Sequence, residues 1–297
     1  MIPREAGFLL LTSRLGNPDR KVMSTAQLRT LAQRMKGVAI DDPHRDLVAA
    51  DLVKLGYGPE MAERIVALLS EEDLLAHYLR RAAKVGCIPV TRVSELYPQV
   101  LRNRLMEDAP GCLWGKGDLE ILNSPMISLV GSRDLNPKNA EFAREAGRQA
   151  ALQGYTLVSG NARGADKTAQ EAALAAGGSV VSIVADSLEK HPCRENVLYL
   201  SEDAFDEEFS AQRALSRNRC IHALGEKTLV AQCSFQHGGT WDGTVKNLRF
   251  RWSDVFCFDD KSPASRLLCQ MGANLIGMDD LADLNGLRNP QESLFDR

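Results

Sequence analysis

The sequence predicts an α/β fold, a doubly wound parallel sheet preceded by a small all-helical region. Three observations predict it. Apolar residues in 1–85 recur at helical spacing,. From Ser124 onward, short apolar runs alternate with amphipathic stretches long enough for helices,. Two of those runs, Ile127–Arg133 and Thr156–Asp166, pass straight into small residues and then an arginine. Strands that alternate with helices are joined by right-handed crossovers, so they form a parallel sheet covered on both faces.

The elements follow in order. Thr25 opens a run of Ala26, Leu28, Leu31, Ala32 and Met35 at helical spacing, and Gly37 ends it,. Further helices are expected over Asp46–Leu55 and Glu60–Leu69. The segment between them, Leu55-Gly-Tyr-Gly58, has the Gly-x-Gly form of a helix-hairpin-helix turn, which can offer backbone amides to a phosphate,. A hairpin that serves packing alone fits the same residues. Ser70-Glu-Glu-Asp caps a helix that runs to Lys84,. Residues 86–124 form a connector with strand-like pieces at Gly86–Thr91 and Ala109–Gly117, and Tyr97-Pro98 turns the chain.

Residues 125–297 carry the sheet. Strands are expected at Met126–Val130, Thr156–Ser159, Ser179–Ala185, Thr228–Gln232, Val255–Phe258 and Ala273–Ile276, with a short edge strand at Asn196–Leu200. Helices are expected at Asn139–Gln153, Ala165–Ala176, Ala211–Leu224, Gly243–Arg251 and Pro263–Met271. Ligands of such sheets bind beyond the carboxyl ends of the strands. Gly131, Ser132 and Arg133 lie at one such end, and Ser159, Gly160, Arg163 and Gly164 at the next. Free N–H groups there, with the dipole of a following helix, attract anions.

Composition bounds the function. The chain of 297 residues is 44% apolar and 25% charged, as is ordinary for a water-soluble protein,. The apolar run Phe8–Leu11 is too short for a membrane span or a signal segment, which points to the cytoplasm,. Seven cysteines show no paired spacing, so neither a disulfide framework nor a metal site is expected, and Cys193 alone lies in a polar turn,. The net charge of −3 argues against indiscriminate nucleic-acid binding, yet charge is segregated. Ala211–Ser253 carries Arg213, Arg217, Arg219, Lys227, Lys246, Arg249 and Arg251, while Asp186–Glu208 is acidic. Such segregation builds either a basic face or an ordinary solvated one.

Two further loops extend the anion-binding pattern. Arg217-Asn218-Arg219 interrupts a helix, and at a bend its two planar guanidinium forks can converge on a phosphate,. His237-Gly-Gly-Thr-Trp-Asp-Gly-Thr244 precedes another helix, with glycines such as Gly239, hydroxyls such as Thr244, and Lys246 and Arg249 close behind. Trp241 suits either base stacking or a core. The rim lacks the full glycine spacing of a dinucleotide site, and no nucleophile, acid–base pair or cofactor site emerges. The chain reads as a binder rather than an enzyme.

In order, the motifs resemble those of the DprA/Smf family of DNA-processing proteins. The likeness runs through Gly86-Cys-Ile-Pro-Val-Thr91, Tyr97-Pro98, Ala109–Gly117, Val130-Gly-Ser-Arg133, Ser159–Asp166, Arg217-Asn-Arg219, Asp254–Phe258 and Gly272–Ile276. The resemblance implies an extended Rossmann-like domain behind a SAM-like or helix-hairpin domain. It implies single-stranded DNA as partner, protected and loaded with a RecA-type recombinase during transformation or recombination, and a homodimer formed through the Rossmann-like domain. Carried onto this chain, Arg133, Arg163, Arg217 and Arg219 contact the DNA backbone. Gly131, Ser132, Ser159, Gly160 and Asn218 form the anion pocket.

The chain departs from the family pattern in five places. Gln170 stands where a histidine is usual, and Ala185-Asp-Ser-Leu-Glu189 replaces a glycine-rich loop. Gly239–Thr244 replaces a Ser-Gly-Ser-Leu-Ile-Thr loop, and Asp259-Asp260 a Pro-Gly. No winged helix follows the sheet before residue 297. Another class of function, a nucleotide-binding or nucleotide-hydrolysing sensor resembling phosphoribohydrolases, rests on the Gly-Gly-Thr loop. Such enzymes place a glutamate after that loop, where this chain has Lys246 and Asn247.

Overall fold

Alternation of apolar runs with amphipathic stretches produces the expected layered α/β architecture. The structure is a computed structural model, and it describes residues 1–36 and 46–289. Gly37, expected to end the helix that Thr25 opens, lies outside the described residues. The chain divides into two units, one of Met1–Tyr97 with Gly111–Leu113 and one of Pro98–Pro110 with Trp114–Arg297. The connector residues 86–124 are thus shared between them.

The first unit is mostly helical. Its helices are α1 (Pro3–Thr12), α2 (Thr25–Met35), α3 (Ala49–Lys54), α4 (Pro59–Leu69) and α5 (Glu72–Lys84), followed by strand β1 (Cys87–Thr91). The apolar run Phe8–Leu11 is the buried part of α1. Ser24 and Gln27 form a reciprocal cap on α2,. α3 is shorter than its pattern suggested because Asp51 accepts the Val48 N–H at 3.2 Å, which starts the helix at Ala49. Leu11, Met23, Leu31, Leu52, Ala62, Ile65 and Leu68 pack into one core. Arg20 is buried beside it, donating from Nε to Glu71 at 2.6 Å and from Nη2 to the Leu10 carbonyl at 2.7 Å.

The α3–α4 turn has the internal bonds of a packing hairpin. The N–H groups of Leu55, Gly56 and Tyr57 donate back to carbonyls of α3. Arg34 covers the turn from outside, bonded to the Leu55 and Gly56 carbonyls and lying 4.5 Å over the Tyr57 ring. Those three amides therefore have nothing to offer a phosphate.

The second unit opens with α6 (Gln99–Leu105), which had no expected counterpart; Pro98 turns the chain and becomes the residue before its first helical turn,. It continues as β2 (Cys112–Lys116), β3 (Met126–Val130), α7 (Pro137–Leu152), β4 (Thr156–Ser159), α8 (Ala165–Ala175), β5 (Val180–Ile183) and β6 (Val197–Ser201). Then come α9 (Ala211–Ser216), α10 (Asn218–Leu224), β7 (Lys227–Val230), α11 (Gly239–Phe250), β8 (Asp254–Phe258), α12 (Pro263–Gln270) and β9 (Asn274–Ile276). The strand order in this unit is β2-β6-β5-β4-β3-β7-β8-β9. All neighbours are parallel except β2, which runs antiparallel to β6 with Gly115 opposite Leu200. The central strands are buried on both faces, and for that reason they are mostly apolar, broken only by the buried hydroxyls of Ser128, Thr156, Ser159 and Ser182,.

Two expectations are corrected here. The Asn196–Leu200 segment, expected at an edge, is the interior strand β6, flanked by β5 and β2. The Ala211–Leu224 helix breaks at Arg217 into two short helices, as the Arg217-Asn218-Arg219 motif predicts. α11 starts at Gly239, four residues before the expected Gly243, because the Thr240 hydroxyl bonds the Gly131 carbonyl at 2.9 Å and draws the loop onto the rim.

From β3 the chain winds one way through β4, β5 and β6, then returns to β7 on the other side of β3. The carboxyl ends of β3 and β7 therefore form a topological switch point, where a crevice opens between diverging loops.

Candidate nucleic-acid interface

Four loops meet at that switch point, and Gly164 joins two of them. Its φ is +86°, and a Cβ there would lie 2.4 Å from the Ser132 carbonyl and 2.5 Å from that of Arg133. Only glycine lets the β4–α8 turn seat against the β3 edge this closely. The Ala165 N–H then donates to Ser132 O at 3.1 Å, and the Ser132 N–H donates to Gln232 O at 2.8 Å. Edges of β3, β4 and β7 are thereby locked into one platform.

The β4 edge is not an open anion pocket. The Asp166 carboxylate accepts from both the Gly160 and Ala162 N–H groups at 3.1 Å. The chain's own carboxylate fills the place expected for a phosphate. Ser159 is fully buried and accepts from Gln170 at 2.6 Å, so it too is internal. Burial raises the Asp166 carboxyl above the usual range, against the pull of Arg217 and of these two amides.

Arg217 is the residue this arrangement isolates. It is 7% exposed, and its Nε and Nη1 find no hydrogen-bond partner. Its guanidinium lies against Gly160, where any Cβ would fall 1.6 Å from Nη1. Burial lowers its affinity for a proton, with Asp166 opposing. A buried guanidinium without an acceptor is costly. An anion brought to it would relieve that cost.

Two clefts open on Arg217. The first, about 520 Å³, lies over the switch point between Gly131–Arg133, the α9–α10 bend and His237–Thr240. Arg133, Arg217, Asn218 and Gly239 line it, and Asn218 Nδ2 holds the Gly239 carbonyl at 3.1 Å. The first amides of α11 start there without intrahelical acceptors,. The second cleft, about 450 Å³, lies over the β4 and β5 ends and takes in Gly160, Arg163, Lys167, Asp186 and His191, with Arg133 and Arg217 shared.

Of the other expected contacts, Arg163 lines the second cleft and the rest are placed elsewhere. Arg219 pairs with Glu202 at 2.7 Å and donates to the Asp108 carbonyl at 2.9 Å, so it braces α10 and does not line either cleft. Thr244 is buried inside α11, and Lys246 and Arg249 are exposed farther along that helix. Arg163 is exposed and pairs with Asp134 at 2.7 Å. Part of the segregated charge meets across the two stretches: Arg213 bonds Asp203 at 3.2 Å and also Glu207, and Arg219 bonds Glu202, while Lys190 bonds Glu208 within the acidic stretch.

The chain has known relatives. The profile of a family described as DNA recombination-mediator protein A matches residues 89–281. The chain belongs to that family. DNA processing protein DprA of Streptococcus pneumoniae is 30% identical over 197 residues, 59% of this chain and 67% of that protein. Protein Smf of Escherichia coli is 31% identical over 156 residues, 49% of this chain and only 41% of that protein. An X-ray structure of the S. pneumoniae DprA superposes with a TM-score of 0.65 at 23% identity, covering 88% of this chain and 92% of that one. A Helicobacter pylori DprA structure, described as giving insight into a single-stranded DNA binding mode, has a TM-score of 0.56 at 20% identity and covers 71% and 96%. At these identities the two structures speak to the fold.

Asp166, His222, Asp186 and His191 belong to this family member's rim but were not singled out as site residues by the sequence. Asp166 had a legible signal, a carboxylate two residues after a glycine at a helix start,. His222 lines the first cleft and is 1% exposed, with a pKa pushed down to about 3 by burial. Among the described residues no cluster of side chains is suited to a metal ion, and no helix is long and apolar enough to cross a membrane. All seven cysteines are free.

Proposed function

We propose that this chain binds single-stranded DNA across the rim, with Arg217 as the anchoring cation and Arg133 beside it. The observation that carries the reading is Arg217, a buried guanidinium without an acceptor at the point where both clefts open. A phosphodiester supplies the missing acceptors, and arginine's fork suits its oxygens. Phosphate contacts do not depend on base identity, so binding is sequence-tolerant and weakens steeply with salt. Membership of a recombination-mediator family and the single-stranded DNA binding described for the H. pylori relative support this reading. In that role the chain acts without chemistry of its own, shielding the strand and passing it to a RecA-type recombinase, as a homodimer through the Rossmann-like unit in the cytoplasm.

The test is a salt titration of labelled single- and double-stranded oligonucleotides. Arg217→Gln is expected to weaken single-strand binding at least tenfold, the usual weight of a charged hydrogen bond being ~1.5–3 kcal/mol. Unchanged affinity in Arg217→Gln removes the anchor. A mononucleotide ligand is the second reading, favoured by a first cleft whose size of about 520 Å³ falls within the range of small-molecule sites,. Thermal stabilisation by a mononucleotide but not by an oligonucleotide selects it.

A further inference from the structure

The second cleft contains a pair that phosphate anchoring does not use. His191 Nε2 lies 2.9 Å from Asp186 Oδ1, and the imidazole stacks on Tyr199 with centroids 4.8 Å apart. The stack and the carboxylate fix the ring at the wall of the cleft. Every other charged group lining that cleft is a cation: Arg133 from the β3–α7 loop, Arg163 and Lys167 from the β4–α8 turn, and Arg217 from the α9–α10 bend. On the pair's own loop, Glu189 precedes Lys190, which is bonded to Glu208, and Tyr199 on β6 is the neighbour beneath. Asp186 is therefore the one carboxylate among the lining residues, and its net effect depends on the proton carried by His191.

We propose that the second cleft is a further phosphate subsite and that the Asp186–His191 pair makes its occupation depend on a proton. The inference rests on the single-stranded DNA reading above. With His191 neutral the pair presents one negative charge to an incoming phosphate, and the cations opposite must overcome it. With His191 protonated the pair is neutral as a whole, and the imidazolium can face the phosphate. Binding of the strand at this subsite is then coupled to uptake of one proton from solvent. The sign follows from the charges. A phosphate favours the protonated imidazole, so the bound form holds that proton to higher pH than the free form. Affinity is strengthened in full below the free form's titration range and loses that gain as pH rises through the bound form's. Histidine is the side chain whose ordinary range, near pH ~6.5, places such a change between pH ~5 and ~8. One charge-assisted bond gained or lost at the subsite corresponds to about a tenfold change in affinity.

The inference is tested by measuring affinity for a labelled oligothymidylate at constant ionic strength from pH 8 to pH 5.5, on the full chain. Wild type is expected to bind about tenfold tighter at the lower pH. His191→Gln, whose amide can still bond Asp186 but cannot titrate, is expected to show a flat profile. Asp186→Asn, which removes the negative charge, is expected to bind several-fold tighter than wild type at pH 8. Unfolding midpoints of each variant at both pH values show that folded protein is being compared. A wild type without pH dependence, or a His191→Gln profile parallel to wild type, overturns the proposal. Where Arg217→Gln still loses binding at pH 8, such a result leaves the rim reading standing. No single-strand binding by wild type at any pH overturns the rim reading and this inference together.

Discussion

Replacing Gly160 with alanine moves Arg217 without touching its charge. The new Cβ would lie 1.6 Å from Arg217 Nη1 and 2.4 Å from Cζ and Nη2, so the guanidinium must withdraw by roughly 2 Å to reach an ordinary contact,. The obstructing atoms are the end of a flexible side chain, and Gly160 is not in the left-handed region, so the backbone can stay in place. The bonds from its N–H to Asp166 and around the turn are retained. A charged hydrogen bond to phosphate is worth ~1.5–3 kcal/mol, which predicts single-strand affinity lower by about tenfold to somewhat above a hundredfold. Losing one phosphate contact also lowers the magnitude of the slope of log affinity against log salt by about 0.7 for a single strand. Stability should hardly change, because fewer unfolded conformations for alanine, worth ~0.4–1 kcal/mol, offset the repacking. The assay is fluorescence anisotropy with an oligothymidylate at four salt concentrations, beside a thermal unfolding curve. Wild-type affinity with an unchanged salt slope would refute the placement of Arg217 as the anchor.

Three further outcomes follow from the geometry. Gly164→Ala puts a Cβ against two backbone carbonyls at positive φ, and a loss of about 2–4 kcal/mol is expected in denaturant unfolding; a change under 1 kcal/mol contradicts the close seating of the two edges,. Arg20→Ala leaves Glu71 and the Leu10 carbonyl without their donor, and about 2–3 kcal/mol of stability should be lost, less than for a fully buried pair because Glu71 is partly exposed,; an unfolding midpoint equal to wild type rejects that role. His222 has a folded pKa of about 3, below its unfolded value, so its contribution to stability is intact above pH ~6.5 and shrinks as pH falls toward 3, by about 2 kcal/mol at pH 5,. His222→Gln should flatten that part of the pH–stability curve, and a curve parallel to wild type would show that His222 is not the group responsible.

The strands were legible because burial on both faces leaves runs such as Met126–Val130 and Val180–Ile183 with no polar alternation,. Helices α2, α4 and α8 were legible from their apolar spacing, and the parallel sheet followed from the alternation. Gly131, Arg133, Arg217, Asn218 and Gly239 were named from strand ends and a helix break, and tertiary folding gathers them around one cleft. Sequence alone therefore determined the layers of the sheet domain and the family.

Which cations face that rim was decided only by packing. Arg217 and Arg219 are two residues apart, yet one lies on Gly160 beside the clefts while the other is held by Glu202. Glu202 comes from the end of β6, and no local pattern around Arg219 announces it. In the same way Asp166 claims the amides that looked free at the β4 edge, and Asp186 meets His191 across a loop. Charge–charge pairing acts over distances in space that have no fixed counterpart in sequence separation. The chain shows where an anion could be held, and only the folded contacts determine that Arg217 Nε and Nη1 are left there without a hydrogen-bond acceptor.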